Sequence, residues 1–180
     1  RRTAEICAGL KAHGHEAALQ AKTGLLLDPY FSASKLGWAL DHWPQVKAAG
    51  DDLAVGTVES WLIWKLTEGG PHVTDATNAS RTALMDIHTG RWDAGLAELF
   101  GVPMAALPEI VDCAGRFGET RLFGDAIAIC GMAGDQQAAA IGQACLSPGE
   151  TKATYGTGAF VLTHTGDAAP LSRSRLLTTV

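Results

Sequence analysis

The sequence predicts an α/β fold on three observations. An apolar run, AIAIC (126–130), precedes two glycines and an alanine-rich segment, which is the pattern of a strand, a turn and a helix. Two β-alternating segments, TKATY (151–155) and AFVLTHT (159–165), flank a glycine-rich GTG and predict a hairpin. Helical patterns occur between such segments, and 180 residues suffice for one domain with a core, or for one domain and part of another.

The N-terminal part of the chain is predicted to be helical. Thr3–Leu19 places apolar residues near one helical face, although Gly14 weakens the pattern. Ser32 is a plausible N-cap for a second helix, which runs to about Trp43 and stops at Pro44.

The middle of the chain predicts a short strand followed by an apolar helix. The strand is Leu53–Thr57, and the helix is Val58–Thr67, which Gly69 and Gly70 end. Trp61 and Trp64 lie in the middle of this helix, and we expect both in the core.

The C-terminal half predicts alternating strands and helices. A stretch rich in Thr, Asn and Ser begins at His72 and contains short β-like pieces. The segment LSPGE (146–150) has the composition of a linker. The remaining predicted elements are a helix at Thr89–Phe100, strands at Phe117–Leu122 and Ala126–Cys130, and a helix at Asp135–Ala144.

Composition and charge exclude several classes of protein. Hydrophobic residues make up 47% of the chain and charged residues 18%, which is typical of a globular protein. A net charge of -5 leaves no basic face for nucleic acid, and no apolar stretch approaches the length of a membrane span. The four cysteines have neither zinc-site nor disulfide spacing, so we expect buried thiols in a reducing cytoplasm; they are Cys7, Cys113, Cys130 and Cys145.

Asp135 is a candidate catalytic or binding residue. It follows the predicted strand and opens the alanine-rich helix, so it is either an N-cap or a carboxylate that faces a cleft. Gly131 and Gly134 would let a substrate approach the backbone, and Gln136 adds an amide that can pair with a hydroxyl. The residue pattern alone leaves both interpretations open.

Three further positions are open to two interpretations. Gly156, Thr157 and Gly158 can cradle an anionic oxygen, but spacing alone favours a plain hairpin turn, and the Walker lysine is absent. Tyr30 is expected to be a half-buried aromatic residue in a loop. Arg81 can bind an anion, although a surface position is the simpler expectation.

Five long motifs, in this order, resemble the FGGY carbohydrate kinase family. They are TGLLLDPYFSASKLGWALDH, GTVESWLIWKLTEG, HVTDATNASRTALMDIHTGRWD, GMAGDQQAAAIGQ and TKATYGTGAFVLTHTG. The resemblance spans nearly the whole chain, and DPYFS and TNASRT are more similar to the family's glycerol-phosphorylating members than to its pentulose kinases. It implies an actin-like ATPase (ribonuclease H-like) fold, with residues 1–145 the later part of the first domain and 146–180 the start of the second. Both ends of the chain look cut, so we expect a segment of a longer protein.

The resemblance also implies a reaction and a set of site residues. The reaction moves the γ-phosphoryl group of ATP, with Mg²⁺, to glycerol. Asp135 aligns with the family's catalytic base, and Gln136 and Tyr30 align with ligands of the glycerol hydroxyls. Phe160 aligns with the aromatic residue that packs on the glycerol carbons, and Thr157, between Gly156 and Gly158, aligns with a nucleotide-phosphate contact.

The resemblance leaves two alternatives and has one departure. The chain corresponds to a segment of the family's proteins. That segment does not include the first phosphate loop, an Arg-Glu pair or the adenine pocket, so we expect the segment alone to be inactive. The alternatives are another FGGY polyol or pentulose kinase, and a non-catalytic module that keeps the fold. RLFGDAIAI stands where some bacterial members carry an inhibitor-binding GGTR loop, so control by that ligand is not expected. The family also implies a homo-oligomer.

Overall fold

A computed structural model describes all 180 residues as a mixed α/β structure. Its eight helices are α1 (Ala4–Ala12), α2 (Glu16–Thr23), α3 (Ser32–His42), α4 (Pro44–Lys47), α5 (Val58–Leu66), α6 (Ala76–Ala79), α7 (Ala94–Phe100) and α8 (Asp135–Gly142). Its eight strands are β1 (Val73–Asp75), β2 (Met85–Asp86), β3 (Arg91–Trp92), β4 (Glu109–Val111), β5 (Ala114–Thr120), β6 (Ile127–Gly131), β7 (Thr151–Tyr155) and β8 (Ala159–Thr163). None of the helices has the length and hydropathy that crossing a membrane requires.

The strands form four two-stranded sheets. β1 and β4 pair in parallel, whereas β2–β3, β5–β6 and β7–β8 are antiparallel. The predicted hairpin is confirmed: β7 and β8 pair from Thr151 opposite Thr163 to Tyr155 opposite Ala159. Because β6 pairs only with β5, the strand before Asp135 belongs to a ribbon and not to an open parallel sheet.

Two hydrophobic clusters hold the fold together. The larger one joins α2, α3 and α7, and its buried members are Leu19, Leu25, Leu27, Phe31, Ala33, Ala83, Leu84, Leu96, Phe100 and Val102. The smaller one consists of Ile63, Val73, Phe117 and Met132, and it joins α5, β1 and β5 to the loop after β6. The smaller cluster therefore anchors the loop that leads into Asp135.

The first predicted helix is wrong as a single element. α1 ends at Ala12 and α2 begins at Glu16, because Gly14 adopts φ +85°, a left-handed conformation that no helix accommodates. Ser32 is the first residue of α3 rather than its cap; Phe31 occupies the N-cap position and no side chain caps the helix.

Two further element predictions need correction. Leu53–Thr57 forms no strand, because its only ladder-like bond runs from the Val55 amide to the Ala106 carbonyl, at 2.9 Å. The helix predicted at Thr89–Phe100 begins only at Ala94, because β3 occupies the preceding residues. The helices predicted at Val58–Thr67 and Asp135–Ala144 are confirmed to within two residues.

The burial predicted for two tryptophans and for three of the four cysteines is also wrong, since Cys113 and Cys145 are only partly buried. Trp61 and Trp64 are 59% and 44% exposed, because α5 buries the opposite face, which carries Ser60 and Ile63. Cys130 is exposed because the two-stranded β5–β6 ribbon leaves most of β6 uncovered. Cys7 is buried, as expected, and burial raises the pKa of its thiol.

Replacing Asp93 with alanine is expected to lower the free energy of unfolding by about 1–2 kcal/mol. Asp93 caps α7 by accepting from the Leu96 amide at 2.8 Å, and it pairs with Lys22 at 2.6 Å. The hydrogen bond from Lys22, with a smaller contribution from the Leu96 amide, lowers the pKa of the Asp93 carboxyl. A lowered folded-state pKa stabilises the protein above the unfolded value of about 3.9, and this stabilisation is lost as the pH falls through the folded value.

Urea unfolding of the two proteins at pH 7 and near pH 3 measures this effect. The stability gap between them should narrow at the lower pH. Glu98→Ala, on the exposed side of the same helix, should leave stability within about 0.5 kcal/mol. If the two proteins differ in free energy of unfolding by the same amount at both pH values, the stabilisation does not come from the lowered pKa of Asp93.

Candidate active site

Asp135 lies at the first turn of α8 with its side chain exposed. Gly134 occupies the N-cap position, and no side chain caps the helix, so Asp135 is not the N-cap that the sequence allowed. Asp135 Oδ1 accepts only from the amide of Gln136, at 2.8 Å. The exposed oxygens remain open to a ligand.

A buried carboxylate fixes the loop in front of Asp135. Thr77 donates its hydroxyl to Asp75 Oδ2 and accepts from the Gly134 amide at 2.7 Å. Asp75 is 0% exposed and caps α6 through the Thr77 amide, at 2.9 Å. A Cβ atom at Gly134 would lie 2.6 Å from the side-chain oxygen of Gln137, so a larger residue here would have to displace that flexible side chain. The sequence analysis did not identify Asp75 or Thr77, although both lie beside the TNASRT motif.

Gln136 contacts both Asp135 and the hairpin. Its Nε2 donates to Asp135 Oδ2 at 3.3 Å, and its Oε1 accepts from Lys152 Nζ. Lys152 lies on β7 and also donates to the Thr154 hydroxyl, at 2.9 Å. Hydrogen bonds therefore link the candidate base Asp135, through the Gln136 amide, to Lys152 in the β7–β8 hairpin.

Arg81 interacts electrostatically with both Tyr30 and Asp135. Tyr30 is 60% exposed, more than the half-buried position expected, and its amide donates to Asp28 Oδ1 at 2.8 Å. Burial lowers the pKa of Arg81, and the charges of Tyr30 and Asp135 partly offset that effect. Both groups therefore lie within electrostatic range of the guanidinium, which stacks 5.2 Å from the ring of Phe31.

Arg81 is not the surface residue that the sequence favoured. It is partly buried, it forms no ion pair, and the charge of the candidate base acts on its guanidinium. An unpaired, partly desolvated guanidinium is suited to bind an anionic group such as a phosphate.

The hairpin tip presents one free hydroxyl. The Gly156 amide donates to the Gly158 carbonyl at 2.9 Å, so this amide closes the turn and is not free for an anion. Thr157 is exposed and forms no hydrogen bond. The space beside Gly156 is open, because a Cβ atom added there would have no other atom within 4 Å. Phe160, 37% exposed, lies opposite Thr154 in the ladder. α8 packs against both strands of the hairpin, although no hydrogen bond joins the tip to Asp135.

The chain itself holds no metal cage. No three His, Cys, Asp or Glu side chains converge on one point. Mg²⁺ in phosphoryl transfer needs only one or two carboxylates, with the substrate phosphates supplying the other ligands. Asp135 alone does not define such a site, so these residues do not fit a dedicated Mg²⁺ centre.

Comparison with known families places the chain in a class of protein, the carbohydrate kinases. A family profile described as the N-terminal domain of the FGGY family of carbohydrate kinases matches residues 1–142. The chain belongs to the FGGY family of carbohydrate kinases. It carries part of the actin-like ATPase fold, as the resemblance implied.

Several curated relatives and solved structures are similar over the whole chain. It is 58% identical to the glycerol kinase of Bradyrhizobium diazoefficiens and 56% identical to glycerol kinase 1 of Pseudomonas aeruginosa, over 100% of its own length. It spans 37% of the length of each of these relatives. A crystal structure of Plasmodium falciparum glycerol kinase with ADP superposes with a TM-score of 0.94 at 40% identity, covering 100% of this chain and 37% of that one.

A pentulose kinase shares the fold more distantly. The xylulose kinase of Rhodospirillum rubrum superposes with a TM-score of 0.75 at 22% identity, over 87% of this chain and 33% of that one. This likeness shows the fold alone.

Proposed function

We propose that the protein containing this chain transfers the γ-phosphoryl group of ATP to glycerol, giving sn-glycerol 3-phosphate and ADP. One observation supports this function above the others. An exposed carboxylate, Asp135, opens α8 beside Gln136, and its charge acts on the guanidinium of Arg81. The 58% identity to a glycerol kinase over the whole chain supports glycerol as the acceptor.

Asp135 is proposed as the general base. An alcohol is a weak nucleophile, and an ionised carboxylate within hydrogen-bond reach can accept its proton as attack proceeds. The alcohol oxygen forms a bond to the γ-phosphorus, the bond to the β–γ bridging oxygen breaks, and the electron pair leaves with ADP. Asp135 ends the step protonated. Catalysis of this kind depends mainly on positioning and on neutralising charge.

The acceptor would be held by three other side chains. Tyr30 offers an exposed hydroxyl, and Gln136 offers Nε2, which already faces Asp135. The ring of Phe160 would pack against the carbon chain. Polar groups that pair with each hydroxyl give strong rejection of analogues that lack one.

The nucleotide phosphates would meet the hairpin tip. The free hydroxyl of Thr157, and the lack of side chains at Gly156 and Gly158, suit contact with a phosphate oxygen. Mg²⁺ would arrive with the nucleotide and neutralise phosphate charge.

The placement of this chain in the longer protein is also proposed. Residues 1–145 would end the first domain, and 146–180 would begin the second, in line with a family match that stops at residue 142. A cytoplasmic location is supported by four cysteines that are all free. A homo-oligomer remains a prediction.

A chimera tests the proposed reaction. This chain replaces the matching segment of the Bradyrhizobium diazoefficiens enzyme, which supplies the rest of the protein. A coupled ADP assay compares glycerol, erythritol and xylulose, with the unmodified enzyme as control. We expect the chimera to phosphorylate glycerol within about tenfold of the control rate, and the other acceptors at least about 100-fold more slowly.

Two outcomes would contradict the proposal. A folded chimera that prefers xylulose or erythritol would indicate another FGGY kinase. A folded chimera without turnover on any acceptor would indicate a non-catalytic module. The 180-residue chain by itself should show no turnover.

A further inference from the structure

Lys152 is the largest side chain that the fold buries completely. It lies on β7 and is 1% exposed, although lysine is rarely buried without a carboxylate partner. None of the three ion pairs of the chain includes it. Burying an unpaired ammonium is costly, so its position calls for a specific reason.

The two partners of Lys152 are neutral oxygens. Its Nζ donates to the Thr154 hydroxyl at 2.9 Å and to Gln136 Oε1. Thr154 is two residues further along β7, so it lies on the same face of the strand. Gln136 is different: it lies on α8, next to the candidate base, so this bond joins two separate parts of the chain.

The contact with Lys152 determines which way the Gln136 amide points. An ammonium only donates and an ionised carboxylate only accepts. With Lys152 on one side and Asp135 on the other, the amide has one satisfactory orientation, in which Oε1 faces the ammonium and Nε2 faces the carboxylate. The ammonium also polarises the amide, which strengthens donation by Nε2.

We propose that Lys152 is a positioning residue, whose buried ammonium holds Gln136 Oε1 so that Gln136 Nε2 faces Asp135 and the acceptor alcohol. The acceptor part of this inference rests on the proposed function. The contact also makes the geometry beside Asp135 depend on how the β7–β8 hairpin packs on α8. Lys152 touches neither the reacting atoms nor the base.

Amine labelling of the 180-residue chain tests the contact without any assay of activity. Trace acetylation followed by mass spectrometry gives the reaction rate of each lysine. We expect Lys152 to react at least about 100-fold more slowly than the exposed Lys35. Gln136→Ala should speed labelling of Lys152 at least about tenfold. Gln137→Ala, which removes only bonds to Thr179 and Val180, should change that rate less than about twofold.

A double-mutant cycle in the chimera tests the positioning role. Lys152→Met keeps an unbranched side chain only one atom shorter and removes the donor, and we expect it to lower kcat/KM for glycerol about tenfold or more. In the Gln136→Ala background the same change should cost less than about twofold, because Lys152 then has no amide to orient. Lys152→Arg, which keeps a donor, should recover part of the loss.

The outcomes separate this inference from the proposed function. Equal losses from Lys152→Met in both backgrounds, or no loss in either, would overturn the positioning role. Fast labelling of Lys152 in the unmodified chain, or equal speeding by Gln136→Ala and Gln137→Ala, would overturn the contact. If the chimera lacks glycerol turnover, the proposed function fails, while the labelling result still decides the contact.

Discussion

Replacing Asp135 with asparagine is expected to reduce turnover of glycerol by about 10²- to 10⁴-fold. Asparagine has almost the same shape as aspartate. Its side-chain oxygen can still accept the hydrogen bond that the Gln136 amide donates to Asp135 Oδ1 at 2.8 Å. It cannot accept the proton of the alcohol, so the chemical step should suffer most. The KM for glycerol should stay within a few fold, because the other proposed acceptor contacts, Tyr30, Gln136 and Phe160, are unchanged.

Steady-state and single-turnover assays of the chimera measure this prediction. Asp125→Asn provides a matched control, since it removes an exposed charge from the turn between β5 and β6. The control should retain turnover within about twofold. If Asp135→Asn retains more than about a tenth of the normal turnover, another group accepts the proton.

Replacing Asp75 with alanine is expected to destabilise the chain by about 3 kcal/mol. Asp75 accepts from the amide and hydroxyl of Thr77, from Asn78 Nδ2 at 2.6 Å and from the Cys113 thiol at 3.3 Å. Burial is the main cause that raises the pKa of Cys113, and the neighbouring Asp75 raises it further. Cys113 therefore stays a thiol that can donate to Asp75. Alanine would remove the acceptor of these partly buried donors and release Thr77, which holds the loop before Asp135.

Thermal unfolding by circular dichroism measures the loss, which should lower Tm by about 10 °C. Asp86→Ala is the matched control: Asp86 is also the last residue of a short strand, but its carboxylate accepts only from the exposed His88 amide, at 2.8 Å. The control should shift Tm by less than about 2 °C. A similar small shift for Asp75→Ala would show that the buried network contributes little.

The sequence predicted helices well where one signal dominated. Val58–Thr67 and Asp135–Ala144 are long apolar or alanine-rich runs with glycine at or near their ends, and both are helices within two residues. The hairpin at 151–163 was equally clear, because alternation and a glycine tip agree. The prediction of one helix over Thr3–Leu19 was wrong, because a single glycine at positive φ outweighs the periodicity around it.

Burial was less predictable than secondary structure. The helix α5 is apolar on most of its surface, so periodicity did not show that Ser60 and Ile63 face the core and that Trp61 and Trp64 face outwards. The burial predicted for Cys130 was wrong for a related reason: its apolar strand was expected to lie inside a sheet, whereas β6 lies in a two-stranded ribbon. Which face is covered depends on distant elements that local patterns do not reveal.

For the site, sequence motifs were enough to place Asp135, Gln136, Tyr30 and the glycine-tipped hairpin in one family. The folded arrangement was needed to show that Asp135 is not an N-cap, that Arg81 is partly buried and feels its charge, and that Lys152 holds Gln136 from 16 residues away. A side chain's role depends on the donors, acceptors and charges that surround it. Those neighbours come from separate parts of the chain, and folding alone brings them together.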